Sequence, residues 1–265
     1  HVSRAQAIAH KKITQELAEA GRVQNTFLPT HSPQIAGYDI SGVLLPARET
    51  SGDFYDFIDL QDGKQGFVIA DVGDKGAGAA LYMAMSRTLI RTYAGENNLP
   101  PEQVLHHVNR RILTDTQRGI FLTVVFGVLD PRAHTFTYVN AGHNPPFLLN
   151  NSESSLKNTE LGKTGMLVGI FPESTWETQT INLHPGEVLV LYTDGITEAQ
   201  NKANEFFGSN RLVSTLEKQF NPSAEAFRNG ILESVQAFTG TAPRLDDITL
   251  VVIARKKDEN ESANG

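Results

Sequence analysis

The sequence contains no cysteine. That excludes disulfides, thiolate metal sites and thiol nucleophiles at once, and it suits a chain kept in a reducing cytoplasm. It also lacks a membrane-length apolar run, since nothing approaches the ~20 residues a spanning helix needs. Positive charge is in short supply: 23 Lys and Arg face 30 Asp and Glu, a formal net charge of −7. No basic surface therefore favours a nucleic-acid backbone or an anionic membrane. Internal repeats are missing too. What is present is ordinary for a globular chain, with 40% hydrophobic and 20% charged residues over 265 positions. That length buries a full core as one large domain or two small ones. The first residue is His1 rather than methionine, so we read the chain as a piece of something longer, with targeting signals left open.

One stretch organises the rest. Gly66 to Leu81 reads GFVIADVGDKGAGAAL: an apolar strand ends in Asp71, a glycine-rich turn follows, and small residues lead into a helix. A strand fixes a carboxylate, and glycines let carbonyls and water come close to it, which suits ion binding. Asp before Gly is equally ordinary turn chemistry. A nucleotide-binding loop is excluded because Gly76-Ala77-Gly78 lacks the required Gly-Lys-Ser/Thr ending.

Residues 1–27 read as a helix. Val2, Gln6, Ala9, Ile13, Leu17, Ala20, Gln24 and Phe27 follow steps of 4, 3, 4, 4, 3, 4 and 3, a coiled-coil seam weakened by two glutamines. It is either a parallel dimer stalk or an amphipathic helix lying on its own domain. Strand-like runs follow at 39–45 and 53–60, and Asp62-Gly63 signals a hairpin returning through Gln65 to Asp71. That hairpin brings Asp53 and Asp71 together at one end. Helices are expected over 77–94, with Leu81, Met85, Leu89 and Tyr93 on one face, and over 100–116, with Val104, Leu105, Val108 and Ile112. Strands return at 121–129 and 134–140, and Asn150 to Lys157 reads as a mobile polar loop. Segments 178–183 and 187–192 look like a hairpin around Pro185-Gly186. His143, among Gly, Asn and Pro, ties a loop or acts in catalysis, and loop-tying is the favoured reading. Two helices, about 209–220 and 223–238, precede a final strand opened by Asp246-Asp247, and a polar tail at 256–265 is expected to be disordered.

Asp53, Asp71, Asp194 and Asp246 all stand where an apolar strand begins or ends. Gathered together they would repel and raise each other's pKa unless a cation neutralised them. Oxygen-only ligands favour hard ions such as Mg²⁺ or Mn²⁺ over zinc. Four independent turn aspartates is the competing reading.

Five segments resemble the metal-dependent PPM protein serine/threonine phosphatases, in the bacterial branch of SpoIIE and RsbU. They are Pro46 to Asp56 (PARETSGDFYD), Ala70 to Gly76 (ADVGDKG), Asn140 to Pro146 (NAGHNPP), Tyr192 to Gly195 (YTDG) and Asp246 to Thr249 (DDIT), in the family's order. The resemblance implies an α+β fold of two antiparallel β-sheets packed as a sandwich flanked by helices, α-β-β-α, over 29–255. The helix at 1–28 would then be a linker from an upstream sensor domain. It further implies two or more Mn²⁺ or Mg²⁺ ions bridged by Asp71. Asp53 and the Val72 carbonyl would lie on one side, Asp194 and Asp246 on the other, with Asp247 in support. The chemistry implied is hydrolysis by a metal-bridging hydroxide, with no catalytic residue beyond the ligands and no histidine general acid after the bridging Asp. Ser51 stands where this branch commonly has glycine and reads as a tolerated small residue. Arg48 is a candidate for substrate phosphate, or else a surface or ion-paired arginine. The implied substrate is a phosphorylated regulator such as a STAS-type anti-sigma-factor antagonist. A catalytically silent scaffold of the same fold and a two-metal phosphodiesterase are the alternatives. The acidic balance disfavours the second.

The seam at the N-terminus makes a direct prediction. Sedimentation of the chain is expected to give about twice the mass of the same chain lacking residues 1–27; equal monomeric masses would remove the dimer stalk.

Overall fold

The computed structural model describes residues 4–96, 99–116, 119–152 and 155–257; Val2 and most of the expected tail lie outside them. Helix α1 spans Arg4–Asn25. Strands β1 (Tyr38–Leu45), β2 (Phe54–Asp59) and β3 (Gln65–Val72) follow. Helices α2 (Ala77–Gly95) and α3 (Pro101–Asp115) come next. Then come β4 (Leu122–Asp130), β5 (Thr135–Ala141), β6 (Phe147–Ser152), β7 (Ser155–Glu160), β8 (Gln179–Asn182) and β9 (Val188–Tyr192). Helices α4 (Gly208–Gln219) and α5 (Ala224–Thr239) precede the last strand, β10 (Ile248–Arg255).

Two antiparallel five-stranded sheets result, ordered β1-β10-β9-β6-β7 and β2-β3-β4-β5-β8. Strand alternation explains the layers. In β3, Val68 and Ala70 face α2 and α3, packing with Met83, Ile90, Val104 and Leu105. Phe67 and Ile69 face the other way, onto Leu189, Leu191, Val251 and Ile253 of the opposite sheet. The outer face of that sheet, through Val188, Val190, Leu250 and Val252, takes Leu212, Phe227 and Ile231 of α4 and α5. The central strands bury both faces, so β3, β4, β9 and β10 are nearly continuous apolar runs. The architecture is the expected α-β-β-α sandwich.

Three local expectations need correction. Segments 179–182 and 188–192 are not a hairpin: β8 pairs with β5, whereas β9 pairs with β10 and β6 in the other sheet. The turn at Pro185-Gly186 instead carries the chain between layers, with Gly186 N–H donating to the Arg255 carbonyl. Within the loop expected over Asn150 to Lys157, residues 150–152 pair with 155–157 in β6 and β7, and residues 153–154 lie outside the described ones. The core face of α2 is Ala79, Met83, Ser86, Ile90 and Ala94, while Leu81 is 73% exposed. Apolar spacing could not tell those two faces apart, because α2 is apolar on both.

The last turn of α1 lies on its own domain. Gln24 is buried and exchanges two hydrogen bonds with the Ser51 backbone: its Nε2 donates to the carbonyl at 2.6 Å and its Oε1 accepts from the N–H at 2.8 Å. Gly21 is required there because any Cβ would run into the Glu49 carbonyl. Earlier in the helix, Ile8 and Ile13 stay exposed.

Helix α2 is anchored to β2 by charge. Asp56 is 1% exposed and takes Arg91 Nε at 2.9 Å, Arg91 Nη2 at 2.8 Å and Arg87 Nε at 3.1 Å. Removing one partner of a buried pair strands the other charge. Arg87, 15% exposed, is the charge left stranded while Arg91 at 44% reaches solvent, so Asp56→Ala is expected to cost about 2 kcal/mol, read as a lower urea midpoint at unchanged slope.

Candidate metal centre

The inward-facing lines of the central strands all change character at one end of the sandwich. Tyr55 and Phe57 lead back to Asp53, and Phe67 and Ile69 lead on to Asp71. Leu189 and Leu191 lead on to Thr193, and Val251 leads back to Thr249. Because Phe54 pairs with Ala70, Asp53 and Asp71 are neighbours across the hairpin. Asp53 is 3% exposed, and its Oδ2 accepts from the Thr193 and Thr249 hydroxyls, each at 2.7 Å. These threonines bind one carboxylate from the facing sheet. Sequence reasoning passed over them, although the same alternation that located the core marks both as inward.

The carboxylates raise one another's pKa. Burial, then the charges of Asp194 and Asp246, push Asp71 up to about 7, although a hydrogen bond with Asp53 opposes this. Burial and then Asp71 push Asp53 well above the usual carboxylate range. Burial, then Glu198 and Asp246, raise Asp194. Asp194 sits in the turn after β9, held by Glu198 N–H donating to its carbonyl at 2.7 Å. Gly195 follows because a Cβ there would collide with the Asp247 carbonyl.

Asp71, Val72 and Asp246 wall one cavity of about 230 Å³, together with Arg48, Lys75 and Asp247. Within it the two adjacent aspartates diverge. Asp247 is buried and turned toward the loop before β2, accepting from Ala47 N–H at 2.7 Å, Gly52 N–H at 3.0 Å and the Ser51 hydroxyl at 2.7 Å. It holds the loop before β2. Ser51 is more than a tolerated small residue, because its hydroxyl makes that bond. Asp246 instead meets Lys75 Nζ at 2.7 Å. Arg48 is exposed on the cavity rim and makes no hydrogen bond or ion pair among the described residues.

His143 ties structure together. It is 1% exposed: Nε2 donates to the Tyr192 carbonyl at 3.2 Å, and Nδ1 accepts from Thr123 Oγ1 at 2.8 Å. Burial lowers its pKa to about 4, so the ring is neutral near pH 7.

The donor set fits hard divalent cations: four acidic side chains at one end of the sheets offer only oxygen, and Asp53, Asp71 and Asp194 among them have raised proton affinity. As the side chains stand, no three His, Asp or Glu groups among the described residues gather round a single point.

A helix-flanked double sheet with an acidic end is the PP2C-type architecture. The SiaA PP2C domain of Pseudomonas aeruginosa matches with TM-score 0.79 at 21% identity, covering 94% of this chain and 99% of that one. RsbX in complex with magnesium matches with TM-score 0.61 at 18% identity, covering 84% of this chain and 98% of that one. The family model described as Stage II sporulation protein E (SpoIIE) matches residues 61–256, and the chain belongs to that family. Protein IcfG of Synechocystis sp. is 35% identical over 91% of this chain and 41% of its own length. Phosphoserine phosphatase RsbU of Bacillus subtilis is 30% identical over 93% of this chain and 72% of its own. The chain thus spans well under half of the first relative and most of the second.

The raised carboxylates predict a pH-dependent stability. An acid whose folded pKa lies above its unfolded value weakens the fold fully above the folded pKa, and the penalty fades as pH falls toward the unfolded value. Asp71→Asn removes that penalty. Without added metal it is expected to raise Tm by several degrees at about pH 8 and by much less at about pH 5, measured by calorimetry.

Proposed function

We propose that this chain is a metal-dependent phosphoserine/phosphothreonine protein phosphatase domain. The observation that carries the reading is the pairing of Asp53 with Asp71 across the β2–β3 hairpin, with Asp194 and Asp246 close enough to raise the proton affinity of Asp71. The name of the RsbU relative supports the same chemistry. Two or more Mn²⁺ or Mg²⁺ ions would be held by Asp71 between Asp53 and the Val72 carbonyl on one side and Asp194 and Asp246 on the other. Bound there, they would offset charge on the phosphoryl oxygens and acidify water for in-line attack.

The chain's own residues do the rest. The Thr193 and Thr249 hydroxyls hold Asp53 by its Oδ2 beside Asp71. Asp247 fixes the loop carrying Arg48, whose guanidinium stands free at the rim to take a phosphoryl oxygen in bidentate fashion. Neutral His143 holds β4 against the turn before Asp194 and takes no part in proton transfer. No covalent phospho-enzyme is required. The substrate proposed is a phosphorylated regulatory protein, a STAS-type anti-sigma-factor antagonist, acted on in the cytoplasm. An upstream sensor would act through residues 1–27, which would also serve as a dimer contact.

Asp71→Asn tests the mechanism. Mn²⁺-dependent release of phosphate from a phosphoserine protein is expected to fall at least about a hundredfold while circular dichroism shows the domain folded. Undiminished activity would remove the two-metal mechanism, and faster hydrolysis of a phosphodiester than of a phosphoserine peptide would change the reaction class.

A further inference from the structure

Lys75 brings a positive charge into direct contact with the acidic cluster. Its ammonium is 2.7 Å from Asp246 Oδ2, and among the described residues no other lysine or arginine is ion-paired to Asp53, Asp71, Asp194, Asp246 or Asp247. It comes from the turn between β3 and α2, flanked by Gly73 and by Gly76, whose φ is +82°. That turn and Arg48 wall the same cavity as Asp71 and Asp246. The pair is half-exposed, 51% for the lysine side chain and 34% for the aspartate.

We propose that Lys75 is a built-in counter-ion for Asp246, displaced when a divalent cation takes that carboxylate, and that the freed ammonium then binds an oxygen of the substrate phosphate. The inference rests on the metal-dependent reading above. Three points on the molecule carry it. An ammonium and a divalent ion are rivals for one carboxylate oxygen, since both are hard cations drawn by the same charge. Half-exposed ion pairs are weak, so the lysine restrains binding by a modest factor without preventing it. A lysine is a point charge with rotatable donors on a flexible stem. Once released from Asp246 it remains on the wall of a cavity whose other cation is Arg48. Two cations on one rim, above an acidic floor, suit a dianionic phosphate monoester.

The discriminating signature is a pair of opposite effects. By titration calorimetry, Lys75→Gln is expected to bind Mn²⁺ about two- to fivefold more tightly than wild type. Inorganic phosphate is expected to bind the Mn²⁺-saturated variant several-fold more weakly. Lys75→Arg, which keeps the charge, should stay near wild type in both. A general structural defect would weaken both ligands together. Mn²⁺ affinity unchanged or weakened in Lys75→Gln overturns the counter-ion role, and phosphate affinity unchanged overturns the second step. If neither wild type nor Lys75→Gln binds Mn²⁺, the metal-dependent reading falls and this one with it. If only Lys75→Gln binds Mn²⁺, the counter-ion role stands at its strongest.

Discussion

Electrostatic repulsion among carboxylates at one end of a double sheet is the constraint on which the rest of this molecule turns. Asp53 and Asp71 face each other across a hairpin, Asp194 and Asp246 approach from the other sheet, and burial denies all of them full hydration. Left alone, such a cluster would protonate or splay apart. Here it is contained by specific partners: two threonine hydroxyls on Asp53, one lysine on Asp246, and loop amides on Asp247. The apolar sandwich holds the cluster in place. Its inward lines are packed to the last residue before the acidic end, so the strand ends cannot drift.

The same contacts connect distant parts of the chain. Gln24 of the N-terminal helix holds the Ser51 backbone, the Ser51 hydroxyl meets Asp247, and Asp247 is adjacent to Asp246. A hydrogen-bonded path therefore runs from α1 to the wall of the cavity. Asp56, gripped by Arg87 and Arg91, ties α2 to the strand that begins just after Asp53. The acidic end is thus braced from one side by the N-terminal helix and from the other by the helix that follows the glycine-rich turn.

Much of the site was legible before folding because the signals were local. An apolar run ending in Asp-Val-Gly, and another ending in Thr-Asp-Gly, put carboxylates at strand ends whichever sheets the strands join. The hairpin at Asp62-Gly63 paired Asp53 with Asp71 by counting alone. His143 read as a loop tie, and the structure shows it bridging Thr123 and the Tyr192 carbonyl. What escaped were residues whose importance depends on a partner far away in the chain. Thr193, Thr249 and Lys75 are unremarkable by composition, and Ser51 looked merely small. The same limit explains β8 and β9: a Pro-Gly turn between two short strands resembles a hairpin, and nothing local reveals that the chain changes sheets there.

Taken by itself, the order of residues determined which segments become strands and helices, which carboxylates end them, and the absence of cysteine ligands, because periodicity, turn chemistry and composition act over a few neighbours. Folding alone decided how those carboxylates divide their work. Asp246 and Asp247 are adjacent and chemically identical, yet one faces a lysine in an open cavity while the other is buried under three loop donors. The chain bends at Asp246, just before β10, and which of the two side chains meets the cavity is set only when the loop before β2 packs against the start of β10.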